Sequence, residues 1–118
     1  MRGLVAGTRD ELKWRLMIVT ADWVTDDMFE RGVTTASERL GEVPGSLRLE
    51  RFDEGRCVQI MYVGDYRTDA TALARRLHHE FLPRHDLRPN GLHHEIYLSD
   101  PSRVAPEKMR TEVRQPVR

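Results

Sequence analysis

The chain has 118 residues, with 19 basic and 19 acidic side chains and charged residues at 32% of the total. A length like this supports one hydrophobic core without disulfide or metal staples. Balanced charge supplies no global field to draw in nucleic acid or an anionic membrane, and no apolar run approaches the length of a membrane span.

In chain order, Lys13-Trp14-Arg15-Leu16-Met17-Ile18-Val19 is rich in strand formers and predicts a first strand. Thr25 is a natural helix N-cap, and Asp26 and Asp27 suit the positive end of the helix that follows. Phe29, Val33, Ala36 and Leu40, three or four apart, predict its apolar stripe. Residues 47–52 and 57–63 flank the short turn Asp53-Glu54-Gly55 and predict a hairpin. Thr68 is placed to cap a second helix, with Ala70, Leu73, Ala74, Leu77 and Phe81 as its buried face and an end near Pro83. Pro89-Asn90-Gly91 predicts a turn. A strand over His93–Leu98, a Pro-broken loop and a last strand from about Met109 to Val117 complete the series. The order predicts an α+β fold over residues 1–118 as one domain, a mainly antiparallel sheet with two helices on one face.

The closing third carries the chemistry. Period-two alternation puts His93, Glu95 and Tyr97 on one face of their strand, and His94, Ile96 and Leu98 on the other. A carboxylate beside an aromatic ring suits a cavity for a cationic or electrophilic ligand, and a polar face of this kind is expected to point away from the helices. The competing structural reading of Glu95 is a partly solvated strand residue. Tyr62, Tyr66 and Trp14 could complete an aromatic cage, or could simply pack in the core. The histidine pairs His78-His79 and His93-His94 point their rings apart on either a helix or a strand, so no metal site is expected. Cys57 is the only cysteine; it excludes an intramolecular disulfide, suits a reducing cytoplasm and reads as a small hydrophobe. Arg75, Arg76, Arg84 and Arg88 form a modest basic cluster without stacking aromatics, better read as a solvated face than as a nucleic-acid site. No phosphate loop or nucleophile elbow is present, and no cofactor is expected.

The segment His93-His94-Glu95-Ile96-Tyr97-Leu98-Ser99-Asp100-Pro101, followed by Pro106-Glu107-Lys108, Thr111, Arg114 and Pro116-Val117, resembles the terminal signature of the GyrI-like small-molecule-binding family. That family is related to the ligand domains of multidrug-responsive regulators. Trp23–Asp27, Glu54–Gln59 and Val63-Gly64-Asp65-Tyr66 add weaker matches. The resemblance implies two β-α-β-β (SHS2) modules with a ligand groove between them, and Glu95 as the ligand-facing acid. It also implies departures. The first module looks incomplete before Met1, Arg2 stands where the family has Glu, and Val5-Ala6 stands where it has a Trp pair. Tyr62 replaces a common His, and Asp65 a Pro. On this basis the expected function is binding of an apolar, aromatic or cationic small molecule at Glu95, Tyr97, Tyr62, Trp14, Tyr66 and His93. The alternative is hydrolysis of the cyclopropane of DNA-alkylating natural products, with Glu95 catalytic and Glu50 or Glu54 as conceivable second carboxylates. A module for assembly alone comes third. The incomplete first module predicts an exposed edge and a homodimer.

Overall fold

A computed structural model describes residues 15–118, the side chains of 67–71 excepted. The chain divides into two compact units, one ending at Phe52 and the other running over Asp53–Arg118.

The first unit is built on helix α1 (Asp26–Leu40). Thr25 caps it as expected: its backbone is extended and its hydroxyl accepts from the Met28 amide at 3.3 Å. Gly41, at φ 89°, closes the helix by donating its N–H to the Ser37 carbonyl, a left-handed conformation that glycine tolerates best. Phe29, Val33 and Ala36 are half-buried, whereas Leu40 is exposed and no residue of the helix is buried. The described part of the first predicted strand, residues 15–19, and the hairpin arm at 47–52 carry no strand. Strand propensity describes how side chains fit a pleated surface, and a strand exists only where a partner supplies the ladder.

The second unit is one complete β-α-β-β succession. It comprises β1 (Cys57–Val63), α2 (Tyr66–Arg76), β2 (His94–Tyr97) and β3 (Arg110–Pro116), in an antiparallel sheet of order β1-β3-β2. β3 is central and alternates cleanly: Thr111, Val113 and Gln115 are buried, and Glu112 and Arg114 are half-buried. The core packs Leu77 and Leu82 of the helical segment against Val113 and Val117, with Val58, Leu73 and Leu87 at its margin. The buried Gln115 amide is satisfied by the carbonyls of Gly91 and Pro116. The fold is therefore α+β with an antiparallel sheet.

α2 differs from its sequence reading at both ends. It starts at Tyr66, so Thr68 lies within it rather than capping it. It continues through a π-turn, Leu77–Phe81, into a last turn, Leu82–Arg84, that includes Pro83. The turn's extra residue shifts the helical phase. Leu82, only 1% exposed, takes the core position that α-helical spacing assigns to Phe81, which is 42% exposed.

Between β1 and α2, Gly64 adopts φ 145°, and a Cβ there would lie 2.6 Å from the Tyr62 hydroxyl. Both the backbone and the ring overhead call for glycine. Its N–H donates to the Met109 carbonyl, tying the turn to the start of β3.

Candidate functional site

The pairing decides which face of β2 matters. Glu95 is opposite Val113 and Tyr97 opposite Thr111, so both share the face of β3 that is buried beneath the helical segment. This corrects the expectation that Glu95 and Tyr97 point away from the helices. Alternation fixes that residues 93, 95 and 97 share a face; only the pairing to β3 says which one.

On that face the Tyr97 hydroxyl donates to Glu95 Oε2 at 2.7 Å. The other carboxylate oxygen, Oε1, lies 3.9 Å from His93 Nε2. The Glu95 side chain is 21% exposed and that of His93 only 9%. Tyr66, the first residue of α2, packs its ring 4.9 Å from that of Tyr97 at 49°. From the π-turn, His78 brings its ring to 5.9 Å from that of His93. Burial is the main cause that lowers the His78 pKa, followed by repulsion from His93 and His79, so its imidazole is neutral at pH 7. The arrangement is an acid between a phenol and an imidazole, edged by a second tyrosine and a second imidazole. It can hold a positive charge against the carboxylate and an aromatic surface against the rings.

Of the residues named from sequence, Glu95, Tyr97, Tyr66 and His93 come together. Tyr62 shares their sheet face but stands on β1, across β3 from Tyr97, with its hydroxyl directed to the Asp65 carbonyl at 3.5 Å. Trp14 lies outside the described residues. His78 enters the sequence reading only as half of a histidine pair weighed for metal, not as a ligand-site residue. Its signal in the sequence is faint, since a histidine next to a core leucine reads as ordinary helix until the π-turn aims it at β2.

The opposite sheet face carries a network that sequence reasoning also missed. Arg114 donates through Nε to Gln59 Oε1 at 3.0 Å, through one terminal nitrogen to Glu54 Oε2 at 2.9 Å, and through the other to Glu112 Oε1 at 2.7 Å. These bonds, Glu54 first, raise the arginine's pKa and hold it charged. His94 Nδ1 lies 3.0 Å from Glu54 Oε1, a hydrogen bond when that nitrogen carries the proton. Glu54 is thus committed to Arg114 and His94 on the far face, and does not stand beside Glu95 as a second carboxylate. Glu50, in the first unit, pairs with Arg48 at 2.7 Å. Cys57 is half-buried, and burial, then the Glu54 charge, pushes its thiol up, away from a reactive thiolate.

Among the described residues no group of three or more His, Cys, Asp or Glu side chains is placed to hold a metal ion, and no helix is long and apolar enough to cross a membrane. A shallow concavity along α1, lined by Met28, Gly32, Ala36 and Leu40 among others, contains none of these site residues.

Comparison with known proteins bears on this arrangement. The model of the GyrI-like small molecule binding domain matches residues 20–118. Two crystal structures of Listeria innocua proteins described as hydrolases are similar, each 38% identical over 84% of this chain, with TM-scores of 0.66 and 0.65. A third, of an uncharacterized conserved protein from Listeria innocua, is 39% identical over 84% of this chain, with a TM-score of 0.69. The shares of those three chains that are covered are 52%, 50% and 50%, so the present chain spans about half the length of the solved structures it matches. No protein of curated function matches. The chain therefore belongs to the GyrI-like small-molecule-binding family.

Proposed function

We propose that the chain binds a small aromatic cation on the helix-side face of β2, with Glu95 as its counter-charge and Tyr97, Tyr66 and His93 as its walls, and with Tyr62, on the same sheet face, extending the surface. The observation that carries this reading is the Glu95 carboxylate, held on one oxygen by the Tyr97 hydroxyl and only 21% exposed. A carboxylate fixed among rings attracts a cation more strongly than one free in water, because the surrounding dielectric is lower and no reorganisation is needed. Glu95→Gln keeps the shape and removes the charge. It is expected to weaken a cationic aromatic probe by about 1–3 kcal/mol in isothermal titration while leaving a neutral probe of the same shape unchanged. Equal losses for both probes, or none for either, would sink the reading.

A second reading, hydrolytic opening of a cyclopropane in a DNA-alkylating natural product, is supported by the description of two similar Listeria structures as hydrolases. In it Glu95 would activate water and the rings would stabilise the developing cation. Glu54 does not supply a second carboxylate beside it. The reading requires turnover of such a substrate by this chain, abolished in Glu95→Gln.

We also propose a cytoplasmic homodimer, on the strength of the lone Cys57 and of Leu16, Ile18 and Val19, which are 92%, 92% and 96% exposed. A monomer mass by light scattering at micromolar concentration removes the dimer.

A further inference from the structure

Three buried ring nitrogens on His78 and His93 are not used by the function proposed above. Both nitrogens of His78 and Nδ1 of His93 are closed to solvent and have no hydrogen-bond partner among the described residues. Buried polar atoms in folded proteins are almost always partnered, and orphans gathered on two facing rings beside a carboxylate mark polarity that the fold itself does not use. The backbone supports the same view. His78 sits in the π-turn Leu77–Phe81, a local departure that often accompanies functional sites, and the turn sets its ring 5.9 Å from that of His93. The His93 side chain is only 9% exposed.

A neutral imidazole offers one donor and one acceptor. When the His93 proton is on Nδ1, its Nε2 and Glu95 Oε1 are two acceptors 3.9 Å apart. One ammonium nitrogen can reach both at about 2.9 Å. A nitrogen bearing only methyl groups can reach neither, although it engages Tyr66 and Tyr97 equally well through its charge.

We infer that the site selects cations bearing N–H donors, primary or secondary ammonium groups, over quaternary ammonium of equal charge, with His93 as the specificity-determining residue and His78, whose ring faces it, as its positioning residue. The inference rests on Glu95 being the ligand's counter-charge. Water hydrates the primary ammonium more strongly, so bulk solvation opposes this preference and cannot mimic it.

Benzylammonium and benzyltrimethylammonium share ring, methylene and charge, and differ in N–H against N–CH3. In isothermal titration the wild-type chain is expected to bind benzylammonium tighter by about tenfold. His78→Phe and His93→Phe keep an aromatic ring and should bring the ratio close to one, chiefly by weakening benzylammonium; a circular dichroism spectrum and melting midpoint matching the wild type report an intact fold. Should His93→Phe not fold, His78→Phe alone decides. Equal wild-type affinities, or a ratio that survives the substitutions, overturns the inference. Glu95→Gln separates the two levels. If it weakens both probes while the wild type shows no preference, only the selectivity is lost; if it weakens neither, the Glu95 reading itself has failed.

Discussion

Residues 15–52 and residues 53–118 carry comparable apolar residues and use them differently. In the second region Leu82, Val113 and Val117 are 1%, 0% and 4% exposed, whereas in the first Leu16, Ile18, Val19 and Leu40 are 85–96% exposed. The difference is one of partnership rather than composition. β3 lies between two strands and beneath a helix, so each of its apolar side chains meets a neighbour. The strand-forming residues at 15–19 have no ladder, and a hydrophobic side chain gains nothing until something excludes water from it. The polar residues divide in the same way. Arg114 is 28% exposed and bonded through three nitrogens, while the Asp27–Arg31 pair of α1 is 81% and 72% exposed at 3.5 Å.

The sharpest test of that contrast is a pair of truncations. Leu82→Ala should cost about 2–5 kcal/mol by chemical denaturation, because it opens a cavity against Val113. Ile18→Ala should change stability by no more than about 0.5 kcal/mol, unless a second copy covers it, in which case its effect will vary with protein concentration. A large, concentration-independent loss from Ile18→Ala would break the comparison.

Charge offers the next test. Arg114→Met leaves Glu54 and Glu112 half-buried without their cation and should cost about 1–3 kcal/mol in the same assay. Arg31→Ala, at the exposed pair, should cost less than about 0.5 kcal/mol. Equal costs would mean that the network on the far sheet face contributes no more than a surface pair.

Thr25→Ala removes the one side-chain cap of α1 and should cost about 1 kcal/mol of helix stability, read as lost ellipticity at 222 nm on mild heating. Loss of the sheet signal at the same temperature would show that the two units melt together.

The last effect is a slope rather than a step. Burial lowers the His78 pKa below its ordinary 6.5, so the unfolded chain takes up a proton before the folded one does. The stability that neutral His78 supports is complete above pH 6.5 and declines as pH falls from there toward the depressed folded value. Denaturation at pH 7.5 and 5.5 should show a larger loss in the wild type than in His78→Phe. Identical losses would place His78 in a more solvated setting than the geometry indicates.

The sequence by itself determined whatever depends on spacing within one element: the Thr25 cap, the half-buried stripe of α1, the helix–strand–strand order after residue 57, and the sharing of one face by His93, Glu95 and Tyr97. Its long terminal motif also carried the family. The tertiary structure decided everything that depends on a partner. Residues 15–19 and 47–52 have strand formers but no ladder. Pairing of Glu95 with Val113, not alternation, turned the carboxylate toward the helix. The π-turn exchanged Phe81 for Leu82 in the core and brought His78 to His93. The Arg114 network draws on residues up to 60 apart in sequence, from Glu54 to Arg114. Local periodicity fixes which side chains share a face, but long-range pairing alone fixes what that face meets.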